Sequence, residues 1–168
     1  MGYEESYGYL IGTHARDKDA VVSSLLICEM AAYYKAQGLT LLQRMEELYK
    51  EYGYYKDNLD SFTLNGYEGL NKIKEMMDKL RNTESIFDDT FEKIDYKSPI
   101  KAEDGFGYLP TSNVLKYILK DGSWIAIRPS GTEPKIKIYY SIKGKDKSDA
   151  EKRLLDIQSR IKGYLELK

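Results

Sequence analysis

The chain has 168 residues, 42% of them apolar and 32% charged, with 26 Lys and Arg against 27 Asp and Glu and a single Cys. That is room for one ordinary domain, or one small domain with part of another, and folding hides roughly 70% of the extended surface without a disulfide or structural metal. The balance excludes a disordered tail, and a net charge of −1 steers the chain toward neither nucleic acid nor a membrane surface.

Residues 17–37 come first as a helix. Their apolar side chains surround most of the circumference, which predicts burial on more than one side, with Asp17 as an acidic N-cap and Gly38 as the stop. Cys28 lies in this stretch and reads as a buried small hydrophobe. The apolar run 20–34 is too short to span a bilayer, and no secretory leader is read before it, so a reducing, cytoplasmic setting is the default expectation. Capping chemistry then marks three further helix starts. Thr40 with Gln43 opens a face of Leu41, Met45, Leu48 and Tyr52. Asn65 with Glu68 opens one of Leu70, Ile73, Met77 and Leu80. Ser148 with Glu151 opens the last, of Leu154, Ile157, Ile161 and Leu165.

Between these helices the signal is β. Asp121-Gly122 between 114–120 and 123–128 predicts a two-residue hairpin with both turn residues at positive φ, which puts Leu115, Tyr117, Leu119, Trp124 and Ala126 on one face. Residues 135–142 alternate, with Ile136, Ile138, Tyr140 and Ile142 on one side and Lys135, Lys137 and Tyr139 on the other. Weaker strands are read at 55–64 and 91–96, and a loop at 98–111. The later part is therefore an α+β domain with helices against an antiparallel sheet. The first fifty-odd residues offer a loop and two helices with little strand to cover, and read as part of a truncated domain.

The sharpest chemical feature is Arg128-Pro129-Ser130-Gly131-Thr132-Glu133-Pro134-Lys135, between two strands. It supplies a guanidinium fork, two hydroxyls, a glycine amide and an ammonium, the convergent donors that a phosphate needs, stiffened by proline at both ends. The same composition also describes an ordinary polar hairpin loop. It lacks Walker A spacing. Glu4-Glu5-Ser6 in a loop beside tyrosines suits sugar hydroxyls, and Arg16 and Lys18 at a helix start suit an anionic group; both also read as a solvated loop. Asp17 and Asp19 with Lys18 between them do not make a Mg²⁺ site, and His14 has no partner for zinc.

Taken in order, Glu4-Glu5-Ser6-Tyr7-Gly8-Tyr9, Arg16-Asp17-Lys18-Asp19, Leu109-Pro110-Thr111-Ser112-Asn113-Val114-Leu115 and the Arg128–Lys135 segment resemble the C-terminal part of the alpha-D-phosphohexomutase superfamily, in its bacterial phosphoglucomutase/phosphomannomutase branch. The resemblance covers essentially the whole chain. It implies a remnant of the third domain at 1–53, an α/β/α domain represented mainly by helices, and an intact fourth domain at 54–168, with an antiparallel sheet flanked by two helices like the TATA-box-binding protein. It implies that Glu4 and Ser6 contact the sugar, that Arg16 and Lys18 are basic residues of the substrate cleft, and that Arg128, Ser130, Gly131, Thr132 and Lys135 hold the phosphate not being transferred.

Tyr7-Gly8 stands where many relatives have Gly-His, and no proton-transfer role is carried over. The family interconverts hexose 1- and 6-phosphates of glucose or mannose through a bisphosphorylated sugar, with a phosphoserine, Mg²⁺ and glucose 1,6-bisphosphate. Neither the phosphoserine segment nor the Asp-Gly-Asp-x-Asp-Arg metal loop occurs here, so the expectation is a substrate-binding piece with no catalytic or metal residue of its own, inactive alone. It is expected to pack against upstream domains of the same enzyme or to dimerise through exposed remnant helices. A free-standing, non-catalytic phosphometabolite-binding module is the alternative.

Overall fold

The computed structural model describes residues 1–168 except Glu5, Ser6, Glu103, Asp104, Phe106 and Lys168. It divides into two compact units, Met1–Tyr52 and Gly53–Lys168.

The first unit opens with a small antiparallel hairpin, β1 (Gly2–Glu4) and β2 (Gly8–Leu10), where a loop was expected. Helices α1 (Ala20–Ala36) and α2 (Leu41–Tyr52) follow. Asp19, not Asp17, is the N-cap of α1: its carboxylate accepts from the amides of Val21 at 2.9 Å and Val22 at 3.0 Å, because Asp19 is the last extended residue before the helix. Gly38, at φ 77°, ends it. The Thr40–Gln43 capping box forms in both directions, at 2.8 and 3.2 Å.

The expected burial of α1 does not occur. The helix has no buried residue, and Val21 and Tyr33 are 82% and 64% exposed. Cys28 is exposed too, correcting its reading as a core residue. Within this unit α1 packs chiefly on β2 and α2, and these cover little of its apolar circumference.

The second unit is an α+β fold: a five-stranded antiparallel sheet carrying two helices. Its elements are β3 (Tyr54–Thr63), α3 (Gly66–Asn82), β4 (Thr90–Asp95), β5 (Leu115–Leu119), β6 (Trp124–Pro129), β7 (Lys135–Gly144) and α4 (Lys147–Leu165), with sheet order β3-β7-β6-β5-β4. The alternation in β7 holds. Ile136, Ile138, Tyr140 and Ile142 are buried against α3 and α4 in one core that also takes Ile73, Met77 and Leu80, and the stripe Leu154, Ile157, Ile161, Leu165. Leu70 stays 45% exposed while Met76 is buried, because buried Gly69 brings the first turn of α3 against Leu64 and the next position turns outward.

Asn65 makes no side-chain cap, since Gly66 takes φ 62° and turns the chain at the helix entry. The last helix starts one residue before Ser148, with Asp146 as its cap accepting from the Asp149 amide at 2.9 Å. Asp60 ties the edge strand β3 to α4, accepting from Tyr140 Oη at 3.1 Å and Gln158 Nε2 at 3.0 Å and pairing with Lys162 at 3.2 Å.

The β5–β6 turn corrects the hairpin expectation. Leu119 N donates to Ser123 O at 2.8 Å and Gly122 N donates to Leu119 O at 3.0 Å, closing a three-residue loop in which only Gly122 has positive φ (87°). The extra residue slips the pairing by one, to Tyr117↔Ile125 and Leu115↔Ile127, and exchanges the faces of β6. Ile125 and Ile127 enter the core; Trp124 and Ala126 move to the opposite face.

Asp121 holds this loop by accepting from Ser123 N at 2.9 Å, Ser123 Oγ at 3.0 Å and the Arg153 guanidinium of α4. Burial alone raises its pKa, but these donors prevail and hold it below the ordinary 3.8. A carboxyl depressed by folding contributes stability that is complete above its unfolded pKa and is lost as pH falls through the folded one. Asp121→Asn is therefore expected to cost about 1–2 kcal/mol at pH 7. Urea melts from pH 7 to 2.5 check this; the gap from the parent should close as pH falls below 3.8.

Candidate functional site

The register of β6 and β7 brings the cationic segment together. Arg128 is opposite Lys137 and Pro129 opposite Ile136, so the chain turns between Pro129 and Ile136 over six residues, 130–135. Ser130 N donates to Lys135 O at 2.7 Å and Lys135 N donates to Glu133 O at 2.7 Å, fixing both ends of the turn. The Leu64 amide, one residue past the end of β3, donates to Pro134 O at 2.8 Å and braces it from outside. The Ser130 hydroxyl oxygen accepts from Glu133 N at 3.3 Å and, more weakly, from Thr132 N at 3.5 Å. Its lone pairs are thereby occupied from within the loop, so its own proton remains to be donated outward.

A cleft of about 410 Å³ opens beside this loop, lined by Arg128, Ser130, Glu133, Lys135, Lys137 and Tyr139, with Gly131 and Thr132 at its wall. Arg128 is exposed and its side chain makes no hydrogen bond or ion pair among the described residues, so its guanidinium donors are available. Lys135 Nζ lies 3.3 Å from Glu133 Oε2. A Cβ at Gly131 would meet nothing within 4 Å, which leaves open space before that backbone. Guanidinium, hydroxyl and ammonium donors on one turn are the chemistry that an anion needs.

All five residues read as phosphate-binding in the sequence thus line one cleft, and Lys137 and Tyr139 join them. Their signal was the period-two pattern that puts Lys135, Lys137 and Tyr139 on one side of β7; what the pattern lacked was the turn that aims this face at the loop.

In the first unit Glu4 ends β1, and Lys18 reaches back to it at 3.5 Å while also pairing with Asp17 at 3.1 Å. Gly8 makes this crossing possible, since a Cβ there would stand 2.4 Å from Lys18 Cγ and 2.7 Å from Glu4 Oε1. Tyr7 before it takes φ 63°, a left-handed conformation uncommon outside glycine. The side-chain bond to Asp17, then its charge and that of Glu4, raise the Lys18 pKa, keeping the ammonium charged. Arg16 is exposed and makes no polar contact among the described residues, and Ser6 lies outside them.

Asp17 is engaged by Lys18, and Asp19 by the α1 amides and by His14 Nε2 at 2.9 Å, so this acidic pair is committed to the chain itself. Among the described residues no group of three or more His, Cys, Asp or Glu is placed to hold a metal ion. Among them, too, no helix is long and apolar enough to cross a membrane.

Comparison with known proteins matches a family model described as phosphoglucomutase/phosphomannomutase, C-terminal domain, to residues 68–156. A second, described as alpha/beta/alpha domain III of the same proteins, matches residues 1–52. The phosphoglucomutase of Staphylococcus haemolyticus is 39% identical over 152 residues, covering 84% of this chain and 27% of that protein. The phosphoglucomutase of Staphylococcus aureus strain USA300 is 36% identical over 169 residues, covering 92% of this chain and 29% of that protein. This chain therefore spans under a third of the length of these relatives. Among solved structures, the open form of pp63/parafusin from Paramecium, an exocytosis-sensitive phosphoprotein described as a phosphoglucomutase, matches with a TM-score of 0.64 at 16% identity, over 91% of this chain and 28% of that one, a likeness of fold.

Proposed function

The chain belongs to the phosphoglucomutase/phosphomannomutase family, and from that membership we propose that it is the C-terminal, substrate-holding part of an enzyme interconverting hexose 1- and 6-phosphates, of glucose or mannose, through a bisphosphorylated sugar. In this reading residues 54–168 are the fourth domain and hold the phosphate that is not being transferred, through Arg128, Ser130, Gly131, Thr132 and Lys135, with Lys137 as a further cation of the cleft. Residues 1–53 belong to the third domain and supply sugar contacts through Glu4 and Ser6, with Arg16 and Lys18 as cationic residues of the substrate cleft.

In this reading the phosphoryl donor, the Mg²⁺ and the residues that hold it belong to other parts of the same enzyme. The chain by itself then binds without turnover. The exposed apolar faces of α1 are where the rest of the same enzyme, or a second copy, packs, and a cytoplasmic setting belongs to the same reading.

The observation that carries the proposal is the convergence of the uncommitted Arg128 guanidinium, the outward Ser130 hydroxyl and the Lys135 ammonium on one cleft. Two-dimensional NMR titration with glucose 6-phosphate tests it. Binding should be weak, at about millimolar Kd, because one loop makes a few charge-assisted bonds against the cost of immobilising the ligand. Shifts should centre on Gly131 and its neighbours, fall with added salt and ignore Mg²⁺. Arg128→Lys should weaken binding about tenfold despite keeping the charge, since an ammonium cannot make the planar two-point contact. Unchanged affinity in that variant, or shifts confined to residues 4–18, defeats the reading.

A further inference from the structure

The geometry points to Glu133 as a displaceable counter-charge of the phosphate cleft: an anion arriving at Lys135 drives the Glu133 carboxylate away, and Lys74 and Lys97 on the other side of the loop receive it. This rests on the phosphate-binding reading above and adds to it a residue that tunes affinity. Glu133 is held by its backbone and free at its side chain. Its amide donates to Ser130 Oγ at 3.3 Å and its carbonyl accepts from Lys135 N at 2.7 Å, whereas its side chain is 62% exposed and meets Lys135 Nζ at 3.3 Å. The carboxylate can therefore swing without disturbing the cradle. Left in place, it puts a negative charge beside the ligand's own and occupies one of the few cations of the cleft.

Glu133 also lines a second crevice, of about 170 Å³, on the α3 side of the same loop. Buried Ile73 and Met77 form part of its lining. Of its three cations, Arg81 is committed, to Asp95 at 3.0 Å, to Asp78 at 3.7 Å and to Asn113. The ammoniums of Lys74 and Lys97 make no hydrogen bond or ion pair among the described residues. Two uncommitted ammoniums thus share a crevice with the one carboxylate that an incoming phosphate repels. That carboxylate has somewhere to go.

The experiment is an NMR titration of the whole chain with glucose 6-phosphate at pH 8, where the ligand is a dianion, in 0.15 M salt, so that charges more than about 8 Å apart are largely screened. Glu133→Gln is expected to tighten binding about three- to tenfold, because the competing charge is removed. Lys74→Met combined with Lys97→Met is expected to weaken binding about two- to fivefold in the parent and to have no effect in the Glu133→Gln background.

That loss of effect is the signature of a receiving site, since a plain long-range field from the two lysines would persist whatever stands at Glu133. Equal weakening in both backgrounds, or unchanged or weaker binding by Glu133→Gln, overturns the proposal while leaving the phosphate cleft intact. If Arg128→Lys also binds as tightly as the parent, the cleft itself is overturned and Glu133 with it. All four substituted positions have exposed side chains, and unchanged spectra away from the loop confirm that each variant folds.

Discussion

Ile138→Ala is expected to lower the unfolding free energy of the Gly53–Lys168 unit by about 2–5 kcal/mol, whereas Lys137→Ala, one residue earlier, should change it by less than about 1 kcal/mol. Ile138 is fully buried at the middle of β7, which has a strand on either side, with Asp60 and Ile127 as its cross-strand partners. Removing its side chain forfeits the transfer of three carbons out of water and leaves a cavity that neighbours pinned in two strands close only partly. Lys137 points to the other face of the same strand, into the cleft beside the Arg128–Lys135 loop. Its loss should appear as weaker glucose 6-phosphate binding. Urea melts and the NMR titration, run on both variants, separate the two faces. If Lys137→Ala is as destabilising as Ile138→Ala, the cleft is part of the core and its side chains are not available to a ligand.

Gly144→Ala should be the other large loss, of about 1–3 kcal/mol or more, from crowding and not from a cavity. A Cβ at Gly144 would lie 2.3 Å from the Ala150 amide nitrogen, 2.6 Å from its Cα and 2.8 Å from its Cβ. Two of these are backbone atoms of the first turn of α4, so no rotamer relieves the clash. The helix start must move off the end of β7, straining the Asp146 cap and the Ala150 N to Asp146 O bond of 3.0 Å. Gly163, on the same helix, is the control: a Cβ there meets nothing within 4 Å, and Gly163→Ala should stabilise by about 0.5–1 kcal/mol through helix propensity. Thermal melts of the two variants should shift in opposite directions. A parent-like melt for Gly144→Ala would mean that α4 does not approach β7 this closely.

What the sequence determined by itself is what depends on near neighbours along the chain. The period of two in β7 and the stripe Leu154, Ile157, Ile161, Leu165 in α4 are local patterns, and they survive into the fold because whichever elements they pack against, the apolar side must be the buried one. The same holds for the Thr40–Gln43 cap, whose partners are three residues apart. The donor set of Arg128 to Lys135 was legible too, because its members are consecutive.

Tertiary structure decided whatever needed a partner from elsewhere. Loop closure between Leu119 and Ser123 added one residue to the hairpin, and that alone sent Ile125 inward and Trp124 outward; the Asp-Gly pair is compatible with either turn, and burial of the two isoleucines favours the longer one. The pairing of Arg128 with Lys137 turned a patterned strand face into a wall of the cleft, and the passage of Lys18 across Gly8 to Glu4 joined residues fourteen apart. The exposure of α1 and Cys28 follows from the same cause, since hydrophobicity along a helix says how much surface asks to be covered, and only the fold says what is there to cover it.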